Sequence, residues 1–161
     1  MSPSRPATLV TFGIAILTAA TAGLGAAVSG GSEDVWYFAL EKPGLTPPDM
    51  IFAIIWPILF VLMAMGAVLV RIKAGSFAAC SAALGLYFTQ LALNLAWSWL
   101  FFGFHQVLIS MIVLGALWVM IAAMMRAFSK FSTAAAIMQL PYLLWVSFAG
   151  YLNASILFLN Q

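Results

Sequence analysis

The chain has 161 residues, of which 65% are hydrophobic and only 6% charged, and its formal net charge is +2. A soluble domain carries about a quarter charged residues, so this composition excludes an ordinary water-soluble fold and predicts a membrane protein. The small, dispersed net charge argues against a nucleic-acid-binding surface, and the single cysteine excludes an internal disulfide and a multi-cysteine metal site.

Long apolar segments follow one another along the chain. Each approaches the ~20 residues that a helix needs to cross the hydrocarbon core, and none contains Asp, Glu, Lys or Arg. Backbone polar groups must be satisfied inside lipid, and the segments do not alternate as the strands of a β-barrel would, so we predict helices. The sequence predicts an all-α integral membrane protein with a single domain, 1–161. Its bundle of five transmembrane helices covers approximately 7–28, 51–70, 77–102, 107–125 and 133–159.

The first segment has an alternative interpretation as a signal peptide. The basic residue Arg5 precedes an apolar run that ends in small residues, as in a secretory signal. The run is long for such a signal, which favours a retained helix. Its Ala, Gly and Thr content predicts close packing against neighbouring helices.

The charged residues are sorted between the two ends of the predicted helices. Because basic residues near membrane segments are retained in the cytoplasm, we expect the N-terminus inside and the first loop outside. The bacterial cytoplasmic membrane fits this sidedness, with an outer membrane as the alternative. The basic end carries Arg5, Arg71, Lys73, Arg126 and Lys130, and the other end carries Glu33, Asp34, Glu41 and Asp49, with Lys42 as its one basic residue.

The connection between the first two predicted helices, 29–50, is far longer than a turn requires. It contains Trp36 and Tyr37 together with Pro43, Pro47 and Pro48, and the prolines restrict the backbone and lower the entropy lost on ordering. We expect a long ordered loop that covers a pocket. The alternative is a stiff linker whose aromatic side chains lie at the headgroup level.

Aromatic and amide side chains recur at helical spacing inside three of the segments. Amides in a membrane helix need partners, so we expect Gln90, Asn94 and Asn153 to face the bundle interior. They could simply hydrogen-bond between helices, and for the amides alone that interpretation is favoured over ligand contact. The aromatic stripes together favour a cavity for a large, flat, apolar molecule. The stripes are Phe52, Trp56 and Phe60; Gln90, Asn94, Trp97 and Phe101; and Tyr142, Trp145, Ala149, Asn153, Ile156 and Asn160.

Four strings in order carry a resemblance to a known family. They are W-Y-x-x-L-x-K-P at 36–43; T-P-P at 46–48, followed by Phe52 and Trp56; Q-L-x-L-N-x-x-W-S-x-x-F-F at 90–102; and P-Y-x-x-W-x-x-F-A-x-Y-L-N at 141–153. From residue 36 to its end the chain resembles the TspO/MBR family, the tryptophan-rich sensory proteins related to the mitochondrial translocator protein, and specifically a bacterial member.

The resemblance implies a five-helix bundle with a pocket beneath the first loop. Family members bind porphyrins such as protoporphyrin IX, and also other flat apolar ligands; no cofactor or metal is implied. It also implies a homodimer, for which small residues four apart in the third helix (Ala78 with Ala82, Ser81 with Gly85) are the candidate contact. The implied ligand-binding residues, together with the stripes above, are Trp36, Tyr37, Lys42, Pro43, Phe52, Trp56, Phe60, Gln90, Asn94, Trp97, Phe101, Tyr142, Trp145, Phe148, Ala149 and Asn153.

Some positions depart from the family pattern. Leu45 and Met50 stand where tryptophan is common, and Phe60 stands where tyrosine is common, which predicts a more apolar pocket. Pro57 inside the second helix predicts a kink. No basic residue follows Lys130, so the sterol motif of mammalian members is absent and a dedicated cholesterol site is not supported.

Three functional classes remain open at this point. A receptor or sensor that binds tetrapyrroles comes first. A non-coupled transporter of tetrapyrroles or sterols comes second, because no charged residue lies inside a segment to couple ions. Light- and oxygen-dependent porphyrin breakdown, with Trp56 and Trp145 as the candidate residues, comes third, because nothing else resembles catalytic machinery. The single histidine, His105, is expected to be a solvated turn residue.

Overall fold

The computed structural model describes residues 5–30 and 34–161, so Glu33 of the predicted acidic end lies outside the described residues. Five helices are long and apolar enough to cross a membrane, which confirms the predicted all-α, five-helix fold. A π-helical turn, Trp99–Gly103, extends the fourth helix in chain order. The helices are α1 (Arg5–Val28), α2 (Val35–Ala39), α3 (Asp49–Ala74), α4 (Phe77–Ser98), α5 (Val107–Ser129), α6 (Thr133–Ile137) and α7 (Leu140–Leu159).

Two helices extend past the apolar segments that predicted them. α3 begins at Asp49 and includes Arg71 and Lys73 in its last turn, and α5 includes Arg126 in its last turn. An acid at a helix N-terminus and bases at a C-terminus interact favourably with the helix dipole. The helices therefore continue beyond the uncharged stretch, and α3 also continues through Pro57 without a break.

The fifth predicted helix is divided in two, which the sequence analysis did not anticipate. α6 ends at Ile137, and after a short turn α7 begins with Pro141 in its first turn. Proline has no backbone N–H to donate to the carbonyl of Ile137, four residues earlier. A continuous helix would therefore lack one backbone hydrogen bond at Pro141. Gln139 occupies the turn, fully buried, and its amide donates to the carbonyls of Leu62 (3.4 Å) and Ala135 (3.2 Å).

The spanning helices form a closed ring. α1 contacts α3 and α4, α4 contacts α5, α5 contacts α7, and the α6–α7 helix returns to α3. Short connections place α3, α4, α5 and α7 beside their sequential neighbours, as helix packing favours. The outward faces carry exposed apolar side chains such as Leu9, Ile58 and Ile112, as expected for helices surrounded by lipid.

Polar pairs inside the ring are few and specific. The Thr18 hydroxyl donates to the carbonyl of Ile14 (2.6 Å), so it accepts from the buried hydroxyl of Tyr87, joining α1 to α4.

On α3, a Cβ added to Gly66 would lie 2.1 Å from Nε2 of Gln139. Glycine is therefore what lets the turn between α6 and α7 approach α3.

The long first loop is ordered in its described part. Asp34 caps α2, with its carboxylate accepting from the backbone N–H groups of Trp36 (2.9 Å) and Tyr37 (3.3 Å). Farther along, Asn160 at the end of α7 accepts from the N–H of Glu41 and donates to its carbonyl, both at 2.9 Å. The loop is thus fixed across the end of the bundle.

Candidate ligand-binding site

A cavity of about 550 Å³ lies inside the ring, in the half of the bundle covered by the first loop. Ligand pockets are typically ~300–1,000 Å³, so its size suits a small molecule. The cavity is lined by α1, the loop, the N-terminal half of α3 and the C-terminal part of α4. Its lining residues are Ala22, Gly25, Ala26, Ser29, Gly30, Tyr37, Asp49, Phe52, Ala53, Trp56, Pro57, Phe60, Asn94, Trp97, Ser98 and Phe102.

Trp56 of α3 is the centre of the aromatic wall. Its ring centroid lies 5.7 Å from that of Phe60, 6.1 Å from that of Trp97 and 6.4 Å from that of Tyr142. The Trp56 ring is tilted by about 30° from those of Phe60 and Trp97 and lies edge-on to Tyr142. Such contacts hold each ring in place, so the wall presents fixed indole and phenyl surfaces for stacking.

The amide side chains mostly hold these rings in position. Asn94 donates to the hydroxyl of Tyr142 at 3.0 Å. The amide oxygen of Asn153 accepts from the indole N–H of Trp97 (3.2 Å) and from the hydroxyl of Ser110 (3.0 Å), and its NH₂ group donates to the carbonyl of Val107 (3.0 Å). Asn153 therefore links α4, α5 and α7, whereas Asn94 also lines the cavity.

Tyr37 of the loop covers the cavity. Its side chain is buried and its ring packs edge-to-face against those of Phe101 (6.2 Å) and Phe102 (5.6 Å). These two phenylalanines lie in the π-helical turn, and π-helical turns are common at functional sites. Burial, and then the nearby negative charge of Asp49, raise the pKa of the Tyr37 hydroxyl above its ordinary value of 10.0, so it is neutral at physiological pH.

Lys42 contacts three other residues of the first loop. Its ammonium lies 4.5 Å from the centroid of the Tyr37 ring and donates to the carbonyls of Phe38 (3.3 Å) and Leu40 (3.2 Å). This cation–π contact and the two hydrogen bonds favour the folded loop. Lys42 is the only basic residue between Arg5 and Arg71 in the sequence.

A second contact fixes the other side of the loop. The Trp36 ring stacks on the imidazole of His105 with centroids 4.1 Å apart and an interplanar angle of 12°. His105 is solvent-exposed, as expected for a turn, but its φ of 57° is left-handed, which is uncommon outside glycine. Sequence analysis missed both this role and that of Asn160, because each pairs residues that are distant in the chain.

The structure brings many of the predicted site residues together but places them at different depths. Of the loop residues, Trp36, Lys42 and Pro43 do not line the cavity. Gln90 is fully buried and donates to the sulfur of Met63 at 3.7 Å, away from the lining. Six predicted residues line the cavity, namely Tyr37, Phe52, Trp56, Phe60, Asn94 and Trp97, and four lie behind its wall, namely Phe101, Tyr142, Ala149 and Asn153.

Trp145 and Phe148 belong to a different surface. They line an outward groove of about 360 Å³ between α3 and α7, whose other lining residues are apolar. The Trp145 ring meets the Phe52 ring edge-on at 5.5 Å, so Phe52 separates Trp145 from the cavity. The indole N–H of Trp145 has no partner among the described residues.

The α1 wall is the main part of the cavity that sequence analysis missed. Ala22, Gly25 and Ala26 leave a smooth surface on the α1 side of the cavity that Trp56 also lines, and a Cβ added to Gly25 would touch only Ser98, at 3.5 Å. The Ala and Gly content of α1 was the available signal, but it was interpreted as helix packing. Among residues 5–30 and 34–161, no three side chains of the metal-binding types cluster.

Comparison with known proteins gives the family. The family model described as TspO/MBR matches residues 12–159. The chain belongs to the TspO/MBR family. It is 41% identical over 128 residues to the tryptophan-rich protein TspO of Chlorobaculum tepidum, an alignment that covers 78% of this chain and 80% of that protein.

Two further relatives match most of the chain. Protein CrtK of Rhodobacter capsulatus is 34% identical over 154 residues, covering 94% of each chain. The translocator protein of Bos taurus is 39% identical over 145 residues, covering 88% of this chain and 84% of its own length. Family membership and the five apolar helices together make this TspO/MBR protein a multi-pass integral membrane protein.

Proposed function

We propose that this TspO/MBR protein is a membrane receptor that binds porphyrins, such as protoporphyrin IX, and other flat apolar ligands in the cavity beneath the first loop. The observation that carries the proposal is the cavity itself, in which Trp56, Trp97 and Phe60 face the small-residue wall of α1. A flat macrocycle can stack on the rings from one side and lie against the smooth wall on the other.

The distribution of polar groups supports one orientation of such a ligand. The lining from α3 and α4 is mainly aromatic, with Asn94 and Ser98 as the polar residues of α4, whereas Ser29, Tyr37 and Asp49 lie toward the loop. An amphipathic tetrapyrrole would therefore bind with its apolar edge inward and its carboxylates toward the loop. We propose that Lys42, whose ammonium lies 4.5 Å from the centroid of the cavity-lining Tyr37 ring, attracts those carboxylates and offsets the negative charge of Asp49.

Binding is favoured over porphyrin breakdown because the two candidate tryptophans occupy different surfaces. Trp56 lines the cavity, and Trp145 lies behind Phe52 in the outward groove. Illumination separates the two functions, since an enzyme would consume porphyrin over repeated turnovers in a protein-dependent way. Flux of porphyrin into proteoliposomes would identify non-coupled transport.

The proposal is tested by titrating the purified protein with protoporphyrin IX and following tryptophan fluorescence. Trp56→Leu removes the central ring, which contributes about 1–2 kcal/mol, so the Kd should rise roughly 5- to 30-fold. Trp118→Leu is the matched control because Trp118 is half-exposed on α5 and donates to Ser147, away from the cavity. Equal Kd values for a folded Trp56→Leu and the control would refute the site.

We also propose a homodimer through the outer face of α4. Ala78, Ser81, Ala82 and Gly85 are all exposed on that face, and their small side chains permit close approach of a second helix. Cys80 is buried, so the reporter is Ala82→Cys in a Cys80→Ala background. Ile112→Cys on α5, in the same background, is the control. Disulfide crosslinking in membranes through Ala82→Cys, beyond that of the control, supports the interface. Equally little crosslinking in the two variants contradicts it.

We propose that the N-terminus is cytoplasmic and the first loop external, in a bacterial cytoplasmic membrane. The support is the sorting of basic side chains to the ends near Arg71 and Lys130. Membrane-impermeant thiol labelling of Leu45→Cys in intact cells should succeed, and labelling of Lys130→Cys should require lysis. The reverse pattern would contradict this orientation.

A further inference from the structure

The basic end of the bundle, away from the cavity, contains a largely buried arginine side chain. Arg71 lies in the last turn of α3 and is only 6% exposed, whereas Lys73 in the same turn is exposed. The Nε atom of Arg71 is buried and has no hydrogen-bond partner among the described residues. The negative end of the α3 dipole offsets part of the charge, but the buried N–H at Nε still lacks an acceptor, which is costly.

The chain supplies no acid to neutralise Arg71. Its four acidic residues are confined to positions 33–49. Asp49 is the first residue of α3 and Arg71 lies in its last turn, 22 residues later, or roughly 33 Å along the helix. Asp49 is therefore too far from Arg71 to form an ion pair with it.

The N-terminus of α4, which is the positive end of its dipole, lies at the same end of the bundle as Arg71. α4 begins at Phe77, directly after the turn at Gly75 that ends α3, and the two helices pack together. α4 has 22 residues, and its N-cap, Ser76, accepts from the N–H of Ala79 (3.2 Å). The first turn of a helix presents further N–H groups and the positive end of the dipole. A largely buried arginine and a helix N-terminus thus lie at the same end of two packed helices, which is an arrangement that can bind anions.

We propose that Arg71 and the first turn of α4 hold a phosphate group. The planar guanidinium can donate two parallel hydrogen bonds to phosphate oxygens, which a lysine cannot do. Because α3 emerges from the bilayer here, the phosphate would be that of a lipid headgroup or a free phosphate ion. Exposed Lys73, Arg126 and Lys130 at the same end favour a net-negative lipid.

A basic side chain at a helix end can also simply extend to the headgroups without a specific site. Such a side chain would be exposed, as Lys73 is. The burial of Arg71 distinguishes the two cases, and it makes Lys73 a matched control with the same charge at nearly the same depth.

The test uses the full-length protein in dodecyl maltoside, which has no phosphate, with phosphatidylglycerol, phosphatidylcholine or inorganic phosphate added. Lipid retention is measured by native mass spectrometry, and the melting temperature is followed in parallel. Arg71→Gln should weaken phosphatidylglycerol binding at least about tenfold, because charge-assisted hydrogen bonds are lost. Lys73→Gln should weaken it less than about threefold, as one exposed charge contributes little.

Arg71→Lys keeps the charge and removes the two-pronged donor, so it tests the site if Arg71→Gln does not fold. It should bind phosphatidylglycerol several-fold more weakly than the parent. Stabilisation by inorganic phosphate alone, lost in Arg71→Lys, would support the same site with a free ion as its source. Phosphatidylglycerol binding equal in the parent protein and Arg71→Lys, or equally reduced by Arg71→Gln and Lys73→Gln, would overturn the proposal.

Discussion

The hydrogen bonds between Asn160 and Glu41 predict how firmly the loop is held over the cavity. Asn160→Ala removes both bonds, each 2.9 Å long. An intramolecular hydrogen bond contributes about 0.5–1.5 kcal/mol net, and Asn160 is exposed, so the lower end applies and the pair contributes about 1 kcal/mol. The equilibrium for loop opening should therefore rise about fivefold.

Hydrogen exchange measures this opening without any ligand. The amide of Phe38 donates to the carbonyl of Asp34 at 2.8 Å inside the capped α2 turn, so it exchanges when the loop opens. Its exchange rate should rise about fivefold in Asn160→Ala. Gln106→Ala is the control, because Gln106 is exposed at the same end and its side-chain amide donates to the carbonyl of Phe104. A Phe38 rate that changes less than twofold in Asn160→Ala, or equally in the control, would refute the reasoning.

Further predictions concern stability and pH. Gly66→Ala should lower the free energy of unfolding by about 1–3 kcal/mol, because the new Cβ displaces the buried amide of Gln139. Gly115→Ala is the control: a Cβ there meets nothing within 4 Å, so the free energy of unfolding should rise by up to ~1 kcal/mol. Unfolding in detergent measures both. Tyr87→Phe should cost about 1 kcal/mol in the same assay, since the hydroxyl that Thr18 accepts from is lost, and an unchanged value would contradict that bond. The raised pKa of Tyr37 means that the loop is stabilised below pH 10 and loses this contribution as pH rises from 10 through the higher folded-state pKa. Loop exchange should accelerate over that alkaline range in the parent protein, and Tyr37→Phe should remove the titration.

The spans could be predicted from sequence because the cost of a charge in lipid confines each apolar segment. Their ends could not, since helices continue into the headgroup zone, where Lys73 and Arg126 remain helical. The break before α7 had a visible cause in Pro141. The continuous α3 shows that a proline alone does not decide such cases, because Pro57 also lies in an apolar helix and leaves it intact.

The site was partly predictable for a similar reason. Helical spacing placed Asn94 and Trp97 on one face, and both line the cavity. It also placed Tyr142 and Trp145 on one stripe, but a stripe is wide enough to face two neighbours, and Trp145 packs toward the α3 groove. The flat wall around Gly25 has almost no side chains, so no motif marks it.

The most direct test is a structure of this protein with protoporphyrin IX bound. The account predicts a macrocycle against the cavity face of Trp56, covered by Tyr37 and lying along the α1 wall near Gly25. A porphyrin bound instead in the outward groove against Trp145, with the cavity beneath the loop unchanged, would contradict it.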